Sequence, residues 1–275
     1  MPDSPESIAE FDALLRVATD AAEAGGRALG RRPSRFIQKG GDPINLVTDR
    51  DLASQRVIFR RLRAAYPDHV MVGEENADLS ALSRQINGQH PPTWIVDPLD
   101  GTSNFAHGYA PFAVSIGHMR DGKRAAGVVF HAQSRTIAWA VRGRGAFARR
   151  GGRISRLQVT NTPKLEQSLV LTGYGYRREG YADWLHRFGR LMVMVQAVRT
   201  SGSAVNDLLA LASGACDVYW EDELQPWDWA AGALIVEEAG GRVSAADGGD
   251  LPLKASPFVS SNGVLHDAFL RFLRG

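Results

Sequence analysis

The chain has 275 residues, 44% apolar and 23% charged, with 32 basic against 30 acidic side chains and a formal net charge of +2. That is enough chain for one large domain or two closely joined small ones, and its near-balanced charge makes no case for a nucleic-acid or membrane-surface partner. A single cysteine, Cys216, excludes an internal disulfide, no apolar run reaches the roughly 20 residues a bilayer requires, and Met1-Pro2-Asp3-Ser4-Pro5-Glu6 lacks the basic and apolar regions of a signal peptide, so a reduced cytoplasmic setting is expected.

Ser7 and Glu10 have the spacing of a capping box. Ile8, Phe11, Leu15, Ala18, Ala22, Gly25 and Leu29 then recur every three or four residues, which predicts a long amphipathic helix ending at Gly30. Arg35 to Lys39 is a short strand candidate, and Gly40-Gly41-Asp42-Pro43 a loop. Thr48 can cap a second helix with Asp51 at its third position, and as a local pattern that is simply a capping box. This helix runs from Asp51 to Tyr66, Pro67 stops it, and His69 to Val72 forms a short buried strand. Glu74 and Glu75 follow at the strand end. Two adjacent carboxylates there are either a surface turn or a pair whose repulsion a cation or donor relieves. Residues 78–92 are polar with little periodicity.

Trp94-Ile95-Val96 predicts a buried strand that halts at Asp97-Pro98, since proline has no amide to donate. Asp97 and Asp100 then share a tight turn, with Thr102 or Ser103 capping a short helix. As dipeptides, Asp-Pro and Asp-Gly mark ordinary turns. Together they set two anionic oxygens beside free amides and a helix N-terminus, an arrangement suited to holding a phosphate through divalent cations. Strands are expected at Ala113–Met119, Ala125–His131 and Thr136–Val141, the first two joined by the hairpin signal Asp121-Gly122, with a short one at Gly143–Phe147. His107, His118 and His131 lack ligand spacing and are expected to be satisfied or exposed. A boundary near Thr160-Asn161-Thr162-Pro163 divides one compact unit into halves 1–160 and 161–275. In the second half, strands at Ser168–Thr172, Ala197–Arg199 and Cys216–Glu221 alternate with helices at Asp183–Met194 and from Ser203 to Ser213. Pro226 suits the first position of a further helix, which places Asp228 third, where the helix dipole favours a carboxylate. Short strands at Val243 and Phe258–Ser260 and a helix from Asn262 to Phe272 complete the chain.

Asp97-Pro98-Leu99-Asp100-Gly101-Thr102 followed by Asn104-Phe105 resembles the signature of the inositol monophosphatase family. Trp227-Asp228 with Ala230, Ala231 and Gly232 resembles its second signature, and Leu46-Val47-Thr48 with Asp51, Glu74 and Glu221 match further family positions. Asn45 departs from the acid often found there, and the loop from Lys39 is one residue longer. The resemblance implies an α+β fold, the layered αβαβα sandwich shared with fructose-1,6-bisphosphatases. Residues 1–160 would carry most metal ligands, and 161–275 the substrate contacts and the last metal aspartate. It implies magnesium-dependent, lithium-sensitive hydrolysis of a small phosphate monoester, with Mn2+ a possible substitute. One ion would take Glu74, Asp97 and the Leu99 carbonyl, and a second Asp97, Asp100 and Asp228, with a third at Glu74. Asp51, Thr102 and Glu74 would serve the attacking water; Asp100, Gly101 and Thr102 would meet the phosphate; Gly202, Ser203, Ala204 and Glu221 would face the alcohol. Inositol 1-phosphate is the expected substrate and a cytoplasmic homodimer the expected form. Histidinol phosphate, fructose 1,6-bisphosphate or a nucleotide are alternative substrates. An alternative of another class is a non-catalytic regulatory module that binds RNA or polymerase, although no strong nucleic-acid signal is present.

Overall fold

The computed structural model describes residues 5–30, 36–38, 46–76, 91–175, 178–254 and 256–275. Lys39, Asn45, the loop between them and the polar segment 77–90 lie outside the described residues. Helix α1 (Pro5–Leu29) ends where Gly30 takes φ +65, and it begins ahead of Ser7, so the capping-box pattern falls inside its first turn. Strands β1 (Phe36–Gln38) and β2 (Leu46–Thr48) form an antiparallel pair that leads into α2 (Asp49–Ala65). Helices α1 and α2 pack together on one face of a seven-stranded sheet. Its order is β3 (Val70–Gly73), β4 (Thr93–Asp100), β5 (Ala113–Arg120), β6 (Lys123–His131), β7 (Thr136–Val141), β8 (Ala146–Arg150) and β9 (Arg153–Arg156). Only β3 and β4 pair in parallel.

After the short helix α3 (Thr102–His107), the later helices are α4 (Tyr181–Met192), α5 (Ala204–Ala212), α6 (Pro226–Glu238) and α7 (His266–Arg274). The five-stranded sheet runs β11 (Ala197–Arg199), β10 (Leu169–Thr172), β12 (Val218–Leu224), β14 (Ser256–Ser261), β13 (Arg242–Ala245). Helices α5 and α6 lie between the two sheets, while α4 and α7 cover the outer face of the smaller one. The result is the helix–sheet–helix–sheet–helix sandwich expected from the sequence. Strand alternation explains why each sheet serves two cores. Trp94 and Val96 face α1 and α2 while Ile95 faces α5 and α6; Val218 and Trp220 face α4 and α7 while Tyr219 faces inward.

Helix α6 approaches its sheet closely. A Cβ on Gly117 would stand 2.7 Å from Ala230 Cβ, and one on Gly127 2.8 Å from Ala231 O, so bare strand backbone meets the alanines of the helix. The hairpin at Asp121-Gly122 forms with φ +50 and +71, as a type I′ turn requires.

Three local expectations are corrected, and one strand, β9, was not expected: it is an exposed edge strand carrying Arg153 and Arg156, with no apolar alternation to mark it. Strand β4 does not halt at Asp97-Pro98 but continues to Asp100 across a register shift. Asn262 precedes the last helix rather than capping it: its Oδ1 accepts the Leu265 amide at 3.0 Å, and α7 starts at His266. His118 is neither exposed nor satisfied. It is buried against Trp94 and His69, ring centroids 4.5 and 5.2 Å away, with neither ring nitrogen hydrogen-bonded, and burial lowers its pKa to about 3. Cys216 is buried as a small apolar side chain. Among the described residues, no helix is long and apolar enough to cross a membrane.

Candidate active site

The site begins with an irregularity in β4. Pairing with β5 passes from Asp97 opposite Ser115 to Asp100 opposite Ala113, so β4 holds one residue more than its partner over this step. In a regular strand, residues three apart point to opposite faces. The extra residue cancels that alternation, and Asp97 and Asp100 face one cleft. Pro98, without an amide, is tolerated at such a bulge. The Leu99 amide donates to Asp97 Oδ1 at 2.9 Å, and Ser54 of α2 donates to the Pro98 carbonyl at 2.9 Å, fixing the bulge from within and from behind. Gly101 takes φ +85 and stands at the N-cap of α3, the position expected for Thr102 or Ser103. Thr102 is thereby released for other contacts: its hydroxyl lies 2.9 Å from Asp51 Oδ1 and 2.9 Å from the Leu99 carbonyl.

Two further aspartates reach the site from helix N-termini. Thr48 caps α2, with Asp51 accepting the Thr48 amide at 2.8 Å through Oδ2. Asp51 thus completes a capping box with one oxygen and meets Thr102 with the other. Gln225 caps α6, and its amide donates to Asp228 Oδ2 at 2.7 Å. Asp97, Asp100 and Asp228 each present a carboxylate oxygen, all within 4.8 Å of one another. Glu74, in the 3-10 turn Glu74–Asn76 after β3, lines the same cleft. Gln55 of α2 positions that turn by accepting the Glu75 amide at 3.1 Å.

Burial raises the pKa of all three clustered aspartates, and neighbouring carboxylates, Glu74 among them, add to it. Asp97 and Asp228 lie well above the ordinary carboxylate range, whereas Asp100 is raised to about 7 because donors partly offset burial. Those donors are the Ser203 hydroxyl and the Val205 amide, the latter at 3.1 Å. Among the described residues, no Lys, Arg or His side chain lines this cleft. Hard oxygen donors that converge in this way fit one or more divalent ions.

The cleft extends over about 790 Å³ and includes Leu99, Gly101, Gly202, Ser203, Ala204 and Glu221 besides the acids. Asp51 lies beneath it, fully buried, and touches it only through Thr102. Asn104 ties the two halves together, its Nδ2 reaching the Pro111 carbonyl at 2.8 Å and the Ser201 carbonyl at 2.9 Å. Glu221 accepts the Tyr219 hydroxyl at 2.6 Å, and burial raises its pKa to about 7. Sequence reading missed Asp207, Glu223 and Tyr174 in the lining. Asp207, raised to about 8 by burial, lies in an apolar helical run with no pattern to mark it.

A model of the inositol monophosphatase family matches residues 10–274. The chain belongs to this family. It is 36% identical over 263 residues to an inositol-1-monophosphatase of Synechocystis sp., covering 94% of this chain and 88% of that one. It is 35% identical over 263 residues to the Nus factor SuhB of Pseudomonas aeruginosa, covering 94% of each. Among solved structures, the extragenic suppressor protein suhB of Bartonella henselae superposes with a TM-score of 0.84 at 33% identity, over 95% of this chain and 98% of that one. As an inositol monophosphatase family member the chain is a phosphatase, a phosphoric monoester hydrolase acting on small phosphorylated substrates.

Proposed function

We propose that the enzyme hydrolyses inositol monophosphates to inositol and phosphate with magnesium as its metal. The observation that carries this reading is the convergence of Asp97, Asp100 and Asp228 within 4.8 Å in a cleft that Glu221, an acceptor for alcohol hydroxyls, also lines. Relatives named for inositol-1-monophosphatase activity support the choice of alcohol.

Glu74, Asp97 and the Leu99 carbonyl would hold one ion, Asp97, Asp100 and Asp228 a second, with Glu74 open to a third. Bound there, magnesium supplies positive charge to the phosphate and leaving oxygen and makes water more acidic. Thr102 then orients the attacking water: with its proton directed at Asp51, its oxygen accepts from that water, and Asp51 is the acceptor at the end of the relay. The Gly101 and Thr102 amides, at the start of α3, would receive phosphate oxygens. Ser203 holds Asp100 in place while Gly202, Ala204 and Glu221 frame the alcohol.

Phosphate release should be measured with magnesium and with chelator from myo-inositol 1-phosphate, fructose 1,6-bisphosphate, histidinol phosphate, NADP and phosphoadenosine phosphate. Magnesium-dependent release led by the inositol ester, partly restored by manganese and suppressed by lithium, is expected. Release led by another ester replaces the substrate. A chain that binds metal yet releases nothing from any of them is a binding module instead.

A further inference from the structure

The seven-stranded sheet ends in an edge that the proposed catalysis does not use. Residues 142–156 contain six arginines and no Asp or Glu. Arg142 reaches Glu237, Arg149 bonds Glu23, and Arg144 lies over the Phe11 ring. Arg150, Arg153 and Arg156 are exposed and have no ion pair among the described residues. All three stand on the hairpin of β8 and β9, which turns at Gly151-Gly152 with φ +55 and +85.

Among the described residues, nothing pairs with the outer edge of β9. The Leu157 amide donates to the Ala146 carbonyl at 2.8 Å, one pair beyond Arg156 opposite Phe147. Hydrogen-bonded pairs alternate in an antiparallel ladder. Arg153 and Ser155 therefore turn their backbone groups to β8, while Ile154 and Arg156 turn theirs outward. Ile154 stands opposite Arg149 and, one strand further, Ile137, so it lies on the α1 side of the sheet. There it is 59% exposed and lines, with Leu15, Ile137 and Trp139, a groove of about 780 Å³ between α1 and the edge strands. On the α1 wall, Asp20 and Glu23 are paired with Arg61 and Arg149, and Asp12 stands one helical turn from Arg16. The unbalanced charge is that of the hairpin.

We propose that the outer edge of β9 takes an extended acidic segment of a partner protein as an eighth strand. Acid side chains would lie against Arg153 and Arg156, and an apolar one beside Ile154. Strand addition draws affinity from main-chain hydrogen bonds and specificity from alternate side chains. Charge selects the occupant. A second copy's β9 would bring arginine to an arginine-bearing edge, and like charges opposed across a ladder repel. A nucleic-acid backbone would neutralise the arginines but leave the outward carbonyls and Ile154 without partners.

The test is titration calorimetry at low salt with two end-blocked hexapeptides, Thr-Glu-Thr-Val-Glu-Thr and Thr-Lys-Thr-Val-Lys-Thr. The glutamate peptide should bind about tenfold tighter or more, since two cross-strand charge pairs change sign between the two. Ile154→Pro removes an outward amide and spares the β8 ladder, as proline on an edge does, and should abolish binding. N-methylation of the peptide's valine should do the same on the unaltered protein, where no folding defect can intervene. Arg153→Glu combined with Arg156→Glu should invert the preference, with circular dichroism unchanged. Equal binding of the two peptides, or binding of neither, overturns the proposal. Glutamate-peptide binding that survives valine N-methylation is charge attraction alone and overturns it too. An oligothymidylate that binds tighter than the glutamate peptide would assign the hairpin to nucleic acid, and a parent dimer that Ile154→Pro dissociates would assign the edge to a second copy; either result overturns the acidic strand.

Discussion

Asp51 and Asp228 each serve two structures at once. Each is the third residue of a helix and caps its first turn through Oδ2, the role that local sequence pattern assigns. A carboxylate has two oxygens, and the second is left for the proposed chemistry: Asp51 Oδ1 meets Thr102, and Asp228 contributes to the oxygen cluster. The two roles separate in an isosteric variant, because an asparagine oxygen can still cap but brings no charge. Asp228→Asn should lower turnover about a thousandfold or more, the scale on which metal-site charge acts. Asp51→Asn should lower it by about a hundredfold, the scale of general-base loss. Circular dichroism of both should match the parent. Near-normal phosphate release by Asp228→Asn would remove it from the metal site.

At the level of elements, placement of Asp228 depends on how closely α6 lies on β5 and β6. The Gly117–Ala230 and Gly127–Ala231 approaches leave no room for a side chain between helix and sheet. The helix start is therefore held against the β4 bulge that carries Asp97 and Asp100. Gly127→Val inserts three carbons at a 2.8 Å approach to helix backbone, which cannot give way as a flexible side chain would. It should cost about 1–3 kcal/mol of stability, as overpacking does, and lower activity by more than the unfolded fraction explains. Urea denaturation and phosphate release on the same preparation check this. Activity that tracks only the folded fraction would show that α6 does not set the site.

Across the whole molecule, a near-neutral chain concentrates buried carboxylates in one cleft. Asp100 and Glu221 are raised to about 7 and Asp207 to about 8, so the metal-free folded chain keeps protons that the unfolded chain has released. Stability present at low pH is then lost as pH rises through 7 to 8. His118 and His266, lowered to about 3 and 4, act in the opposite direction, but their contribution is complete above pH 6.5. Between pH 6.5 and 8.5 the histidine contribution levels off and the raised carboxylates set the direction of the trend. The Tm of metal-free protein should fall by several degrees over this range, and magnesium should remove most of the fall. A Tm that stays flat, or falls equally with magnesium, contradicts a metal-balanced acid cluster.

Sequence alone determined what depends on neighbours along the chain. The Thr48–Asp51 capping box, the third-position place of Asp228, the Asp121-Gly122 hairpin, the helix stop at Gly30 and the family signature were legible because each is a local requirement, whereas the Ser7–Glu10 box was not formed because the helix starts at Pro5. The layered fold followed from that signature and from the alternation of strands and helices. Tertiary structure alone decided which acids share a cleft. It shows Asp97 and Asp100 turned to one side by a bulge that exists only through pairing with β5. It also reveals Asp207, Glu223 and Tyr174 in the cleft lining and the unsatisfied His118, none of which has a sequence pattern. The physical reason is range: caps and turns are settled within about four residues, whereas the convergence of carboxylates is settled by how closely a helix can approach a distant strand.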